Sequence, residues 1–195
     1  MIELYDRYSQ ESRDLHKSLV ATGLSQLGVV IDADGFLPDG LVSPFTYYLG
    51  YEKGKPLYFN QVPVPAFWEI SGNNQSARIE DMTQERAVIH YADGMQARLV
   101  KQVDWKDLEG RVRQVDHYNR FGACFATTTY SVDSEAIMTV YQDVNDQEVL
   151  LENHVTGDIL LTLPDQSMRY FANKVEFITF FLQDLEIDTS QLIFN

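Results

Sequence analysis

The sequence is poor in cysteine, in basic residues and in long apolar runs. Cys124 is the single cysteine among 195 residues, which excludes an internal disulfide and gives no indication of an oxidising compartment. Lysine and arginine total 15 against 29 acidic residues, a formal net charge of −14. This balance argues against nucleic acid and an anionic membrane surface as partners, since both attract basic clusters.

The apolar cluster Val175–Leu182 is far shorter than the roughly 20 residues of a membrane span, so no direct membrane insertion is predicted. No basic segment followed by an apolar stretch opens the chain, which argues against a secretory signal and favours a cytoplasmic protein. A peripheral association with the membrane through another subunit would leave no trace here. A hydrophobic content of 45% with 12% aromatic residues predicts a folded domain.

Catalytic and cofactor-binding motifs are also missing. The sequence has no Gly-rich phosphate loop, no H-E-x-x-H, no cysteine pair and no G-x-S-x-G elbow. Its four histidines are widely separated, and Cys124 sits in a strand pattern typical of an unreactive buried thiol. The acidic cluster 32–39 lacks the twelfth-position carboxylate of a calcium loop, because Ser43 stands there. We therefore predict no catalytic residues, no metal and no cofactor.

Helical patterns occur near the two ends of the chain. Ser9 is a candidate N-cap for a helix over Ser12–Ala21, with Leu15, Leu19 and Val20 at helical spacing. A short buried strand is predicted at Leu27–Ile31. Asn173 can cap a second helix from Lys174 to about Asp184, with Val175, Ile178, Phe181 and Leu182 on one stripe. A strand pattern then begins at Ser190 and runs to the last residue, which is expected of a piece of a longer polypeptide.

Between these helices the pattern is a series of short strands separated by turn residues. Strands at such short, regular spacing predict an antiparallel meander. The predicted strands are Trp68–Ser71, Ala77–Asp81, Arg86–Tyr91, Gln96–Asp104, Val112–Tyr118, Cys124–Tyr130, Ile137–Gln142, Glu148–Asn153, Asp158–Leu163 and Met168–Phe171.

Neither face of the strands Val112–Tyr118 and Cys124–Tyr130 is cleanly apolar. A sheet packed on one side only alternates more strictly between apolar and polar residues. One interpretation is a partly open sheet whose tyrosines, threonines and edges are offered to a partner or to an extended peptide. The other is that tyrosine and threonine are simply good strand formers.

Several stretches of the sequence resemble a known family. The segments that carry the resemblance are Tyr5–Leu19, Val29–Gly40, Ser43–Phe45, Val103–Trp105, Gly110–Val112 and Val115–Gly122. They are similar to the N-terminal part of the GtfB-type stabilising subunit of the accessory Sec glycosylation system. The meander also resembles the extended β-sheet domain that this subunit shares with related bacterial glycosyltransferases.

The resemblance implies an α+β, β-dominated fold, in which an extended antiparallel β-meander is inserted into a Rossmann-like (GT-B) frame. Residues 1–50 would start the frame, residues 51–173 would form the extended sheet domain, and residues 174–195 would return to the frame. It also implies a non-catalytic subunit that stabilises a catalytic glycosyltransferase and holds its acceptor. That partner transfers N-acetylglucosamine from UDP-GlcNAc to serine and threonine of serine-rich repeat adhesins.

One departure from catalytic relatives favours the non-catalytic subunit. Those relatives carry a glycine-containing loop before the first helix, whereas here the segment Tyr5–Glu11 has no glycine. Side chains on this loop hinder a close backbone approach to a diphosphate, and the charges of Asp6 and Glu11 repel it.

Two sets of side chains are candidates for binding. The acceptor is expected to contact a sheet surface around Tyr118, Arg120, Thr127, Thr129, Tyr130 and Tyr141. Arg111 and Arg113 are candidates for the interface with the catalytic partner. Ordinary strand packing, or solvated charge on an edge strand, explains each of them equally well.

Two other functions remain open from the sequence. The chain could be the acceptor-binding N-terminal fragment of an active retaining GT-B glycosyltransferase, or a structural sheet domain that oligomerises through its edges.

Overall fold

The computed structural model describes residues 2–23, 27–92, 97–186 and 192–194, which form two sheets. A four-stranded parallel sheet has the order β14-β1-β2-β3, and a ten-stranded antiparallel sheet runs from β4 to β13 in chain order. The predicted α+β, β-dominated architecture with an extended meander is confirmed. None of the helices in the described ranges is long and apolar enough to cross a membrane.

The parallel sheet and its helices form a compact unit from both ends of the chain. Its elements are β1 (Ile2–Tyr5), α1 (Gln10–Ala21), β2 (Leu27–Val30), β3 (Leu41–Val42), α2 (Pro44–Tyr47), α3 (Lys174–Asp184) and β14 (Leu192–Phe194). Ser9 caps α1 and Asn173 caps α3, as predicted. Strand β14 pairs with β1 in parallel, so the end of the described chain returns to the sheet in which it started.

The buried face of α1 differs from the prediction. Leu15 and Val20 are 38% and 50% exposed, while Ser12 and His16 are buried. The reason is a buried carboxylate on β1: His16 Nδ1 lies 3.1 Å from Glu3 Oε2. A polar contact therefore sets the side of α1 that faces the sheet.

The predicted apolar stripe of α3 is also partly wrong. Val175 is 72% exposed, and Phe177 is fully buried together with Phe181 and Leu182. Phe177 packs edge-on against Phe45 of α2, with ring centroids 5.2 Å apart. Phe45 also packs 5.3 Å from Tyr141, and Phe177 packs 5.4 Å from Phe171, and these two contacts join the parallel unit to the meander.

The meander follows the predicted strands closely. Its strands are β4 (Trp68–Gly72), β5 (Ser76–Asp81), β6 (Gln84–Tyr91), β7 (Val100–Lys106), β8 (Val112–Tyr118), β9 (Cys124–Tyr130), β10 (Ala136–Gln142), β11 (Glu148–Asn153), β12 (Ile159–Thr162) and β13 (Met168–Phe171). A 3₁₀ helix at Phe59–Gln61 precedes them. Strand β7 begins later than predicted, and residues 93–96, which include most of the predicted turn before it, lie outside the described residues.

The early strands of the ten-stranded sheet bury one of its two faces, and the later strands bury the opposite face. The first core lies on β4–β7, where Ile79, Ile89 and Val103 pack under the segment that leads into β4. The second core lies on β9–β12, where Tyr141 and Leu150 pack under α2 and α3. Cross-strand register shows that these two cores lie on opposite faces of the sheet.

This change of face explains the mixed pattern of β8 and β9. Val103 of the first core is aligned through the register with Asp116 on β8 and Thr127 on β9. That face is covered at β7 and uncovered two strands later. Strands at the crossover cannot keep a single apolar face, because neither face is covered along the whole sheet.

Candidate functional site

An uncovered surface lies on the side of β8–β10 opposite the second core, and the partly buried Trp105 of β7 borders it. We call it the open face and define it by Trp105, Gln114, Asp116, Thr127, Thr129 and Met138. Gln114 and Thr129 are exposed and lie directly opposite each other on β8 and β9. This surface combines an indole ring, hydroxyl groups and amides, a mixture that suits contacts with a polypeptide.

Asp116 organises the open face. Its carboxylate accepts hydrogen bonds from Trp105 Nε1 at 2.7 Å, from Gln114 Nε2 at 2.8 Å and from Thr127 Oγ1 at 3.1 Å. Three donors from three neighbouring strands therefore converge on one acid. The result is a fixed orientation of the Trp105 ring, the Gln114 amide and the Thr127 hydroxyl.

Of the six predicted acceptor residues, Thr127 and Thr129 share the open face. Tyr118 and Tyr141 correct the expectation of one common surface, because they are buried in the first and the second core respectively. Burial and the nearby Glu152 carboxylate raise the pKa of Tyr141, whose hydroxyl donates to Glu152 Oε2 at 3.2 Å. The prediction took the tyrosine hydroxyl groups as a sign of a surface position, but tyrosine occurs in cores as well as at surfaces.

Tyr130 lies on the opposite side of the sheet from the open face. Its side chain is half-buried, and its pKa is raised by burial and then by the charge of Asp104. Asp104 also lies 2.8 Å from His90 Nε2 and accepts from Gln102 Nε2 at 2.6 Å. Tyr130 therefore belongs to a separate polar group on the reverse side.

Arg120 lies in the hairpin between β8 and β9, where the meander meets the parallel unit. Arg120 Nη2 binds Asp39 Oδ1 at 2.7 Å, and its guanidinium stacks 5.0 Å from the Phe121 ring centroid. The Arg120 amide donates to Gly35 O at 2.8 Å. This residue is thus engaged in the junction of the two units.

A cavity of about 270 Å³ opens beside Arg120. It lies just past the ends of β2 and β3, and Asp34, Tyr47 and Phe121 are among its lining residues. Crevices at the carboxyl ends of parallel strands are common ligand positions in α/β folds. The cavity combines carboxylates, an arginine and aromatic rings in a space that fits a side chain or a single small group.

The two predicted partner residues are in different surroundings. Arg111 lies in the β7–β8 hairpin, where Nε binds Asp107 at 3.0 Å and Nη2 binds Glu109 at 2.7 Å. Arg113 is half-buried on β8, on the same side of the sheet as Tyr130.

Asp116 and Trp105 were not among the site residues predicted from the sequence. The available signal was the alternation of Gln114 and Asp116 opposite the threonines of the next strand. The prediction of an unreactive thiol is supported: burial, reinforced by the nearby Asp116 charge, raises the pKa of Cys124 to about 11. Within the described ranges, no cluster of histidine, cysteine and acidic residues is placed to hold a metal ion.

The first turn of α1 uses its own side chains to satisfy its backbone. Ser9 Oγ accepts from the Ser12 amide at 3.2 Å, and Ser12 Oγ accepts from the Ser9 amide at 2.8 Å. Glu11 adds a negative charge in the same turn. Amide groups that would attract a phosphate at this helix N-terminus are therefore partly occupied.

The fold, a parallel unit joined to a long antiparallel meander, also occurs in solved structures of low sequence identity. The pneumococcal O-GlcNAc transferase GtfA, in complex with UDP and GlcNAc, shares this fold at 13% identity with a TM-score of 0.68. Residues 68–172 match the GtfB middle domain, and residues 2–48 match the GtfB N-terminal domain. The chain belongs to the GtfB family.

Curated relatives match over the whole of this chain. The UDP-N-acetylglucosamine–peptide N-acetylglucosaminyltransferase stabilizing protein GtfB of Streptococcus pneumoniae serotype 4 is 92% identical, and that of Streptococcus gordonii is 53% identical. A solved GtfA/B complex bound to UDP and GlcNAc contains a chain that is 53% identical, with a TM-score of 0.95. Our chain is covered completely in each case but spans only 44% of the matched protein.

Proposed function

We propose that this chain is the N-terminal part of the non-catalytic stabilising subunit of a bacterial protein O-GlcNAc transferase. The observation that carries the proposal is the 92% identity, over the whole chain, with a protein named for stabilising that transferase. The catalytic partner uses UDP-GlcNAc, and the acceptor is a serine-rich repeat adhesin of the accessory Sec system. The complex acts in the cytoplasm and associates with the membrane only peripherally.

Three successive segments of the chain are proposed to form the frame and the extended sheet domain. Residues 1–50 begin a GT-B frame, residues 51–173 form the extended sheet domain, and residues 174–195 return to the frame. The reciprocal caps of Ser9 and Ser12, together with Asp6 and Glu11, support a frame that does not bind the sugar nucleotide at its first helix.

The acceptor surface is proposed to centre on the open face. Thr127 and Thr129 lie on the same face as Trp105, and their hydroxyl groups suit a chain rich in hydroxyls and backbone amides. Arg120 is proposed to contact the acceptor at the junction cavity, and Tyr130 on the reverse side. Tyr118 and Tyr141 are proposed to act from the core, by holding β8 and β10 in place.

The partner surface is proposed to include Arg111 and Arg113. Arg111 is 45% exposed at the side chain, so a partner carboxylate could reach it at the β7–β8 hairpin. Its two acidic neighbours hold the guanidinium in a fixed position before the partner arrives.

The first test uses the full-length protein together with its catalytic partner. We expect the pair to transfer GlcNAc from UDP-GlcNAc to a serine-rich repeat acceptor, and the full-length protein alone to transfer none. Co-production should also raise the soluble amount of the catalytic subunit. Transfer by this protein alone, or no effect on the partner, would contradict the proposal.

A paired substitution on the open face tests acceptor binding. Gln114→Ala with Thr129→Val alters two exposed side chains, so the fold should be kept. We expect the apparent KM for the acceptor to rise several-fold, by roughly 1 kcal/mol for each lost contact, with an unchanged amount of soluble partner. Val155→Thr, at an exposed position in the β11–β12 hairpin, is the control. An unchanged KM for the acceptor in the paired variant would show that the acceptor does not bind at the open face.

A further inference from the structure

Two large apolar side chains stand almost entirely in solvent at one end of the ten-stranded sheet. Phe67, just before β4, is 96% exposed, and Met82, in the turn between β5 and β6, is 92% exposed. Strands β4 and β5 pair up to the residues next to both. Leu108 in the β7–β8 hairpin is 68% exposed at the same end, where Gln84 Nε2 donates to its carbonyl at 2.9 Å. We call Phe67, Met82 and Leu108 the tip cluster.

The backbone conformation at Phe67 and Met82 is unfavourable for these residue types, and their exposed side chains gain no burial that would offset its cost. Both have positive φ, 72° and 56°, a region that favours glycine and asparagine. The Trp68 amide donates to Pro65 O at 3.2 Å, which puts Phe67 at the third position of a tight turn. The other non-glycine residues with positive φ in the described ranges are all polar or charged. Strain combined with apolar exposure, without any gain in burial, points to an external contact.

We propose that the tip cluster is a docking surface for the catalytic transferase subunit, an inference that rests on the proposed function. The described parallel unit is not its occupant, because that unit meets the meander elsewhere, at Asp34–Lys101 on β7 and at Gly35–Arg120 in the β8–β9 hairpin.

A second copy of the chain is also a poor occupant. Each copy carries a formal charge of −14, so two copies repel as they approach. A different protein with an apolar pocket at its surface fits better. A matching chain at 53% identity occurs in a solved GtfA/B complex, which makes the catalytic subunit the occupant to test.

The experiment uses the full-length protein and the purified catalytic subunit. The double variant Phe67→Asn, Met82→Asn removes both apolar side chains, and asparagine tolerates positive φ, so the fold is retained. We expect the dissociation constant, measured by calorimetry, to rise at least about tenfold, as for central apolar anchors of interfaces. The control, Val144→Asn with Met168→Asn, removes exposed apolar side chains at the opposite end of the sheet and should leave binding unchanged.

Three results would overturn the assignment. Equal affinity of the double variant and the wild type would show that the tip cluster lies outside the interface while the proposed function stands. Wild-type self-association that the double variant abolishes, seen by sedimentation velocity, would identify a second copy as the occupant. A lowered melting temperature with unchanged affinity would identify the remainder of the chain. If the wild type itself fails to bind the catalytic subunit, the proposed function falls as well.

Discussion

At the scale of single residues, Gly35 determines how closely the parallel unit approaches the meander. A Cβ atom at this position would lie 2.6 Å from Tyr118 O and 2.7 Å from the Cα of Asn119. Both are backbone atoms of the β8–β9 hairpin, so they cannot rotate away. The Arg120 amide bond to Gly35 O depends on the same approach.

We therefore predict that Gly35→Ala destabilises the protein. The expected loss in the free energy of unfolding is about 1–3 kcal/mol, the usual range for overpacking, as measured by urea denaturation. Gly110→Asn is the matched control, because Gly110 has positive φ and open space around it. Equal stability of Gly35→Ala and the wild type would mean that the hairpin moves freely relative to the parallel unit.

At the scale of elements, the capping residues made the starts of the helices predictable, but the buried faces of the helices could not be predicted. Ser9 and Asn173 are local signals, and they marked the starts of α1 and α3 correctly. The inward side of α1 depends on Glu3, a buried acid on another element that pairs with His16. The apolar stripe of α3 missed Phe177, because its partner Phe45 lies more than a hundred residues away in the sequence.

The meander was predictable as a series of strands, but the open face was not. Turn residues marked nearly every hairpin, and hairpins fix antiparallel order. The change of the covered face at β8 depends on which segments lie over the sheet, and these come from outside the strands. Tyr118 and Tyr141 were therefore assigned to a surface and are found in cores.

A chain of side-chain hydrogen bonds crosses the strands at this crossover. His117 Nε2 lies 3.0 Å from Thr128 Oγ1, which lies 2.8 Å from Thr139 Oγ1, and Thr139 Oγ1 lies 2.7 Å from His154 Nε2. Both threonines are buried. Burial lowers the pKa of His117, against the opposing charges of Asp104 and Asp116.

We predict that His117 makes stability depend on pH. The unfolded chain takes up a proton at this histidine near pH 6.5, whereas the folded chain takes it up only at lower pH. Its contribution to the unfolding free energy is thus complete above about pH 6.5 and is lost as the pH falls further. The difference between the wild type and His117→Gln should be constant above pH 7.5 and shrink towards pH 5.

Urea denaturation at several pH values measures this difference directly. Gln114→Ala, a change at a non-titrating position on the same strand, supplies the control and should give a constant offset. A His117→Gln difference that stays constant down to pH 5 would show that the folded and unfolded chains protonate this histidine alike.

At the scale of the whole molecule, the two cores lie on opposite faces of the sheet, and each stabilises mainly the strands around it. The first core does not include the residues that pack under α2 and α3. Ile89 belongs to the first core and Phe177 to the second. A truncation in one core should therefore open the strands around it more readily than those around the other.

Native-state hydrogen exchange can test this division. Phe177→Ala should cost about 3–5 kcal/mol and reduce amide protection in β10–β12 while β5–β7 keep theirs. Ile89→Ala should give the reverse pattern. Equal loss of protection in both regions for both variants would indicate one cooperative unit.

The crossover of the sheet also has a consequence for occupancy. Each half of the sheet leaves one side uncovered, and these two sides point in opposite directions. Two macromolecules seated on them would not compete for space, so both could be held at once. Any influence of one on the affinity for the other would have to pass through the shared strands, and β8 and β9 are the strands that both sides have in common.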